Sequence, residues 1–344
     1  MANSSNLPRI TAHTISTIVT ITILFNLSIC TIGSLGWSEV EFAFAQPSYE
    51  SNSVITTTAA KGQTLYTIGV YLINIGKVDL QNGAYDLDFY VWISSNDSTT
   101  DFTKSQPKID FMNAMNIKID TSKVEHKYWE ARVKGTFLKN MDFRNYPFDK
   151  HGLTIEVEGF DMLENMTFVA DDKASGFDSL INMPGWNLGG AHAEVIEHHY
   201  PDGTYARYVF TFTIERAVLS SVLKIILPII IITTIAMLAF WMSPTNFAPR
   251  IGLAASTLLA AVAAHLNAAN QLPPIGYLTL FDKLMIVVYS LFLNNLLSMV
   301  LQMRLVDRKK EEQAIRVNAR MRTLMPIIIS TILAALIPFD IHLI

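Results

Sequence analysis

Residues 192–199 contain His192, His198 and His199 together with Glu194 and Glu197, side-chain types that can bind a metal ion. Their spacing argues against such a site. A zinc centre is signalled by two His four apart on a helix around a Glu, or by spaced Cys and His pairs, and neither pattern occurs. A Gly-rich phosphate loop and a nucleophile elbow are also missing. The expectation is a protein that is not an enzyme and holds no metal and no cofactor. The unusual chemistry lies in an oily stretch, PRIGLAASTLLAAVAAHLNAANQLPP, residues 249–274. It is long enough to cross a bilayer, yet it carries Arg250, Ser256, Thr257, His265, Asn267 and Asn270. Such residues are costly against lipid and useful against water.

Something must position that helix, and composition says where. Half of the 344 residues are hydrophobic and only 16% are charged, too apolar a balance for an ordinary soluble chain of this length. Crossing the hydrocarbon takes about 20 apolar residues. Four stretches approach this, at 218–242, 251–272, 284–303 and 325–344. Residues 1–45 form a further apolar segment, with Arg9, a run over 10–35, and Ala43-Phe44-Ala45 before Gln46. It reads as a signal peptide cleaved there, with an uncleaved N-terminal anchor as the alternative. The single cysteine, Cys30, lies inside it, so packing and not a disulfide must hold the rest together.

From 46 to 216 the long apolar blocks give way to short alternating runs between Asn, Asp, Gly and Pro, the pattern of an antiparallel β domain. In 86–93, Leu87, Phe89, Val91 and Ile93 share one face, leaving Asp86, Asp88, Tyr90 and Trp92 on the other. In 153–160, Leu153, Ile155 and Val157 point inward, and Glu156, Glu158 and Phe160 outward. In 205–214, Tyr208, Phe210, Phe212 and Ile214 take the core side, with Tyr205 and Arg207 opposite. Two such sheets make a sandwich. Basic residues set the orientation: 304–322 holds seven Lys or Arg against three acids, and Arg250 sits between the first two spans. Both connections are expected to be cytoplasmic, with the β domain, the 270–282 connection and the C-terminus outside. The basic 304–322 segment is read as a short linker, with Arg250 snorkelling at the cytoplasmic end of its helix.

At about 100° per residue, Gly252, Ser256, Leu259, Ala263, Leu266, Asn267 and Asn270 fall within one stripe, polar or small at its ends and apolar in its middle. Thr257 and His265 lie off it. Two readings fit. Small and hydroxyl residues let neighbouring helices pack closely; alternatively, several copies around an axis would line a pore with an apolar constriction.

Taken in order, the motifs resemble the pentameric ligand-gated ion channels, the Cys-loop receptor superfamily, in the prokaryotic form that lacks the cysteine pair. The likeness covers residues from about 60 to 344. Its strongest element is Asp142-Phe143-Arg144-Asn145-Tyr146-Pro147-Phe148-Asp149, similar to the family's loop that rests on the membrane domain. Gly185-Trp186, Ile214-Glu215-Arg216, Leu227-Pro228 and the helix from Arg250 to Pro273 with its central Leu259 follow in the family's order. Lys139 and Leu153 stand near the positions of the missing cysteines.

The resemblance implies an extracellular immunoglobulin-like β-sandwich followed by a four-helix transmembrane bundle, five identical copies around a central pore, and location in the plasma membrane. It implies opening by a small-molecule agonist or by protons, and passage of inorganic ions. The stripe Gly252, Ser256, Leu259, Ala263, Leu266, Asn267 and Asn270 then lines the pore. Ligand would sit between adjacent sandwiches, with Phe160, Tyr205, Tyr200, Phe111, Tyr90 and Trp92 as ring candidates. Asp79, Asp149 and Arg216 would form a charge cluster coupling the domains, with Pro147 and Phe148 pressing on Pro273-Pro274. Charge preference stays open. No acid stands at the cytoplasmic end of the pore helix, whereas residues 46–215 hold 23 Asp and Glu against 14 Lys and Arg. That acidic surface argues against nucleic-acid binding. The competing reading is a non-conducting, membrane-anchored ligand sensor.

Overall fold

The computed structural model describes residues 63–341, and the side chains of 63–327. The targeting segment expected over 1–45, with Cys30, lies outside the described residues. Ten strands come first: β1 Thr64–Asp79, β2 Ala84–Ser95, β3 Ile109–Phe111, β4 Ala114–Glu125, β5 Tyr128–Leu138, β6 Lys150–Gly159, β7 Met166–Ala170, β8 Gly176–Phe177, β9 Trp186–Tyr200 and β10 Gly203–Arg216. One sheet runs β4-β5-β2-β1-β7, with β8 also on β1, and the other runs β3-β6-β10-β9.

Period-two alternation brings the two sheets onto one core. Leu87, Phe89, Val91 and Ile93 of β2 are buried, as are Leu153, Ile155 and Val157 of β6 and Tyr208, Phe210, Phe212 and Ile214 of β10. Each such side chain contributes roughly 1.5–3 kcal/mol by leaving water. The sandwich is not wholly antiparallel, because β7 and β8 both pair with β1 in parallel. Several outward positions are nevertheless buried, Thr154, Glu158, Arg207 and Val209 among them. Arg207 and Glu158 point away from the core yet are buried, because they neutralise each other on the sheet surface.

Four helical segments follow: α1 Val218–Trp241, α2 Phe247–Ala269, α3 Leu280–Asp307 and α4 Glu311–Ile341. Among the described residues, α1, α2 and α3 are long and apolar enough to cross a membrane. Within α1, Val222–Ile226 forms a wider π turn just before Pro228. Proline has no N–H to give and its ring crowds the preceding turn, which favours such a local widening. The 304–322 segment is largely helical. Only 308–310 breaks it, with Lys309 at φ +57°, because Glu311 and Glu312 favour a new helix N-terminus and Arg304 suits the end of α3.

The described residues form two compact units: 63–224 with Ala268–Tyr277, which takes in the strands and the first turns of α1, and 225–267 with 278–341, which holds the rest of the helices. In the helical unit α2 buries small residues. Ala254 packs with Ala239 and Met299, while Thr257 and Ala261 continue the same buried side. Thr279 and Asp282 close a capping box at the start of α3.

Candidate functional site

The end of β10 and the start of β6 lie side by side, with Glu215 opposite Lys150 and Arg216 opposite Trp186 on β9. That register sets Arg216 against Asp149. The guanidinium forks onto the carboxylate, Nε to Oδ1 at 2.6 Å and a terminal nitrogen to Oδ2 at 3.0 Å. Asp149 is almost fully buried, and His151 Nε2 meets its Oδ2 at 2.7 Å. Burial pushes the Asp149 carboxyl up, but the hydrogen bonds from His151 and Arg216 outweigh it and hold the group at about 2. The charge is thus a fixed carboxylate. Rings enclose the cluster: Arg216 lies 4.4 Å from the Trp186 ring centre and 5.2 Å from that of Tyr146, and His151 packs against Phe143 and Trp186.

Asp79 stands apart from this cluster. Its carboxylate accepts the backbone N–H groups of Gln81 and Asn82 and an Nζ–H of Lys77, closing the β1–β2 turn, so it is spent on its own loop. His151 is the third member instead. Two residues beyond Asp149 in extended chain, it shares a side with Asp149, a signal the sequence contained.

The 142–149 loop holds the Ala268–Tyr277 connection inside the same compact unit. Phe143 N–H donates to the Tyr277 hydroxyl at 2.9 Å, Tyr146 O–H to Gln271 Oε1 at 3.5 Å, and Arg144 lies over the Tyr277 ring. From the β1–β2 turn, Gln81 donates its side-chain N–H to the Asn270 carbonyl. These polar contacts come through Phe143, Arg144 and Tyr146, next to Pro147 and Phe148 in the same loop. Pro147 is buried, Phe148 and Pro273 are half-buried, and the Tyr146–Pro147 peptide is cis.

The aromatic candidates divide. Phe160 is 61% exposed after β6, and on the β9–β10 hairpin the Tyr200 and Tyr205 rings meet edge to face at 5.6 Å, with His198 against Tyr200. Beneath them Arg207 bonds Glu158 and Glu156 at 3.0 Å each and the Tyr200 hydroxyl at 2.8 Å. One guanidinium between two carboxylates leaves a negative charge in excess. Burial, then the Arg207 charge, lowers the His198 imidazole below its ordinary value. Phe111 does not belong to this face. It is buried against Phe89 and Phe137, because the short β3 turns it inward beside Val157. Tyr90 and Trp92 lie on the outer side of the other sheet, Tyr90 under Arg132 and Trp92 donating to Asp171 while covering Gly69.

On α2, Gly252, Ser256, Leu259, Ala263, Leu266 and Asn267 are all exposed in the single chain, as is Asn270 just past the helix end. Leu259 is 71% and Leu266 59% exposed. Ser256 bonds back to the Gly252 carbonyl, so its dipole stays on the helix. His265, off the stripe, ties α2 to α3: Nδ1 meets the Tyr289 hydroxyl and Nε2 meets Asp282 Oδ1, each at 2.9 Å. Arg250 does not snorkel. It is fully buried, because neutral acceptors of the bundle surround it where water was expected.

No family model matches the chain. It is 23% identical over 285 residues to a proton-gated ion channel of Gloeobacter violaceus, covering 76% of this chain and 79% of that one. It is 23% identical over 203 residues to the gamma-aminobutyric acid receptor subunit theta of Mus musculus, and 26% identical over 165 residues to the pH-sensitive chloride channel 2 of Drosophila melanogaster. The chain spans about a third of the length of those two relatives, 32% and 31%.

Proposed function

We propose that this chain, whose relatives are gated channels of the pentameric Cys-loop superfamily, is itself a gated ion channel and not an enzyme. The observation that carries the reading is the grip of the 142–149 loop on the Ala268–Tyr277 connection, which joins α2 to α3. A rearrangement of the β unit is thereby passed to the end of α2. The same loop ends at Asp149, bonded to Arg216, two residues before α1 begins.

In this reading five copies surround a pore lined by the exposed stripe of α2, and α4 supplies a fourth span. The β domain and the C-terminus face outward from the cell membrane. A small molecule or protons act at the extracellular domain, with Phe160, Tyr200 and Tyr205 on one side of the interface and Tyr90 and Trp92 offered by the neighbouring copy. Ligand favours the open arrangement by its differential affinity for it. Leu259 and Leu266 close the pore by excluding water.

Purified protein in planar bilayers, stepped through a metabolite panel and through pH, tests this directly. Ligand- or proton-dependent unitary currents are expected. Confirmed pentamers that never conduct would replace the channel with a membrane-anchored sensor.

A further inference from the structure

Two Asn-x-Ser/Thr triplets fall among the described residues, Asn96-Asp97-Ser98 and Asn165-Met166-Thr167. That triplet is the acceptor for N-linked glycans on surface loops of secreted domains, and the fold treats the two differently. Asn96 and Ser98 are exposed in the loop that leaves β2. The side chains around them are tied down. The Ser95 hydroxyl donates to Thr100 Oγ1 and accepts the Asp97 N–H, each at 3.1 Å, and the Asp97 carboxylate accepts both the N–H and the hydroxyl of Thr99. Lys127 Nζ donates to the Asn96 backbone carbonyl at 3.4 Å, a bond that leaves the side-chain amide uninvolved. Among the described residues, neither the Asn96 amide nor the Ser98 hydroxyl has a hydrogen-bond partner. The second triplet is shut. Asn165 is exposed, but Met166 and Thr167 are buried in β7, which pairs with β1.

We propose that Asn96 carries an N-linked glycan and that Asn165 stays bare. The inference rests on the outward-facing β unit of the reading above, not on conduction. The co-substrate is an oligosaccharide joined through its C1 to a lipid phosphate. Asn96 Nδ2 attacks C1, the N–C1 bond forms and the C1–O bond breaks. The lipid phosphate leaves with the bonding pair, and the amide gives up one proton. Such a transfer needs an amide that no neighbour holds and a hydroxyl two residues on that an enzyme can engage, and Asn96 and Ser98 are the pair that meets both conditions. Position adds to this freedom. The β1–β2 turn bonds to the Ala268–Tyr277 connection through Gln81, and β2 runs from that turn to Ser95 over 12 residues, about 36 Å at about 3.3 Å per step. Asn96 therefore stands at the end of the sandwich remote from that connection, where a bulky, solvated glycan has room.

The test uses the full chain purified from the cells that make it, with tandem mass spectrometry of the tryptic peptides 78–104 and 151–173. Peptide 78–104 should carry the mass of a glycan on Asn96, and peptide 151–173 should have the mass of its sequence. Asn96→Gln and Ser98→Ala should each remove the added mass, whereas Ser98→Thr keeps it. Protease added to intact cells locates the β unit independently. A bare Asn96 on a β unit that the protease reaches overturns the inference and leaves the channel reading standing. A glycan on Asn165 instead, or one that survives Ser98→Ala, overturns it as well. A β unit that the protease cannot reach overturns the orientation and the inference together.

Discussion

At the scale of single residues, Asp149 is the group with the most to lose. Its carboxyl is held at about 2 in the fold, against about 3.9 in an unfolded chain, so its contribution to stability is fully present above that value. It is lost progressively as pH falls from about 3.9 through about 2. Between pH 4 and pH 8 Asp149 does not titrate, and a proton response in that window must come from elsewhere. Asp149→Asn should leave the half-buried Arg216 without its counter-charge and destabilise the β unit by about 3 kcal/mol. Thermal unfolding checks it, and an unchanged melting point would remove Asp149 from the structural account. The two exposed and buried phenylalanines separate in the same way. Phe111→Ala should cost about 3–5 kcal/mol of folding stability as a cavity in the sandwich. Phe160→Ala should leave folding within about 0.5 kcal/mol while weakening the agonist response at unaltered unitary conductance. Normal agonist sensitivity in Phe160→Ala would take that ring out of the ligand site.

At the scale of elements, α2 presents Leu259 at the middle of an exposed stripe whose ends are polar or small. Leu259→Ser should wet the narrowest apolar level and raise the resting open probability. Single-channel recording without agonist shows it, and an unchanged resting probability would place the gate at another level. The strands and α2 were legible from period: β2 alternates cleanly, the inward residues of β6 and β10 are where alternation puts them, and the buried side of α2 through Ala254, Thr257 and Ala261 is the complement of its stripe. Phe111 was not legible, because a three-residue strand is too short to fix its own phase. Asp79 misled because charge type marks a residue as able to pair with Arg216, whereas local turn geometry decides which donors it meets first. Arg250 marked a helix end correctly, but its partners Gln302 and Asn318 lie 52 and 68 residues away, and no local pattern announces them.

At the scale of the whole molecule, the chain passes from the β unit into the helices and back. The Ala268–Tyr277 connection belongs to the β unit, while the helices it joins belong mostly to the other. Tyr277→Phe deletes the acceptor of the Phe143 N–H. It should shift the agonist response several-fold, as a hydrogen bond worth about 1 kcal/mol implies, with conductance and ion preference intact. An unshifted dose response would show that the loop transmits nothing through this bond. Asp282 adds a mechanical consequence on the helical side. Its two oxygens have separate duties: Oδ2 accepts from Thr279 to cap α3, and Oδ1 meets His265 of α2. Breaking the His265 contact would therefore leave the cap of α3 in place, because the two bonds share a residue but not an atom.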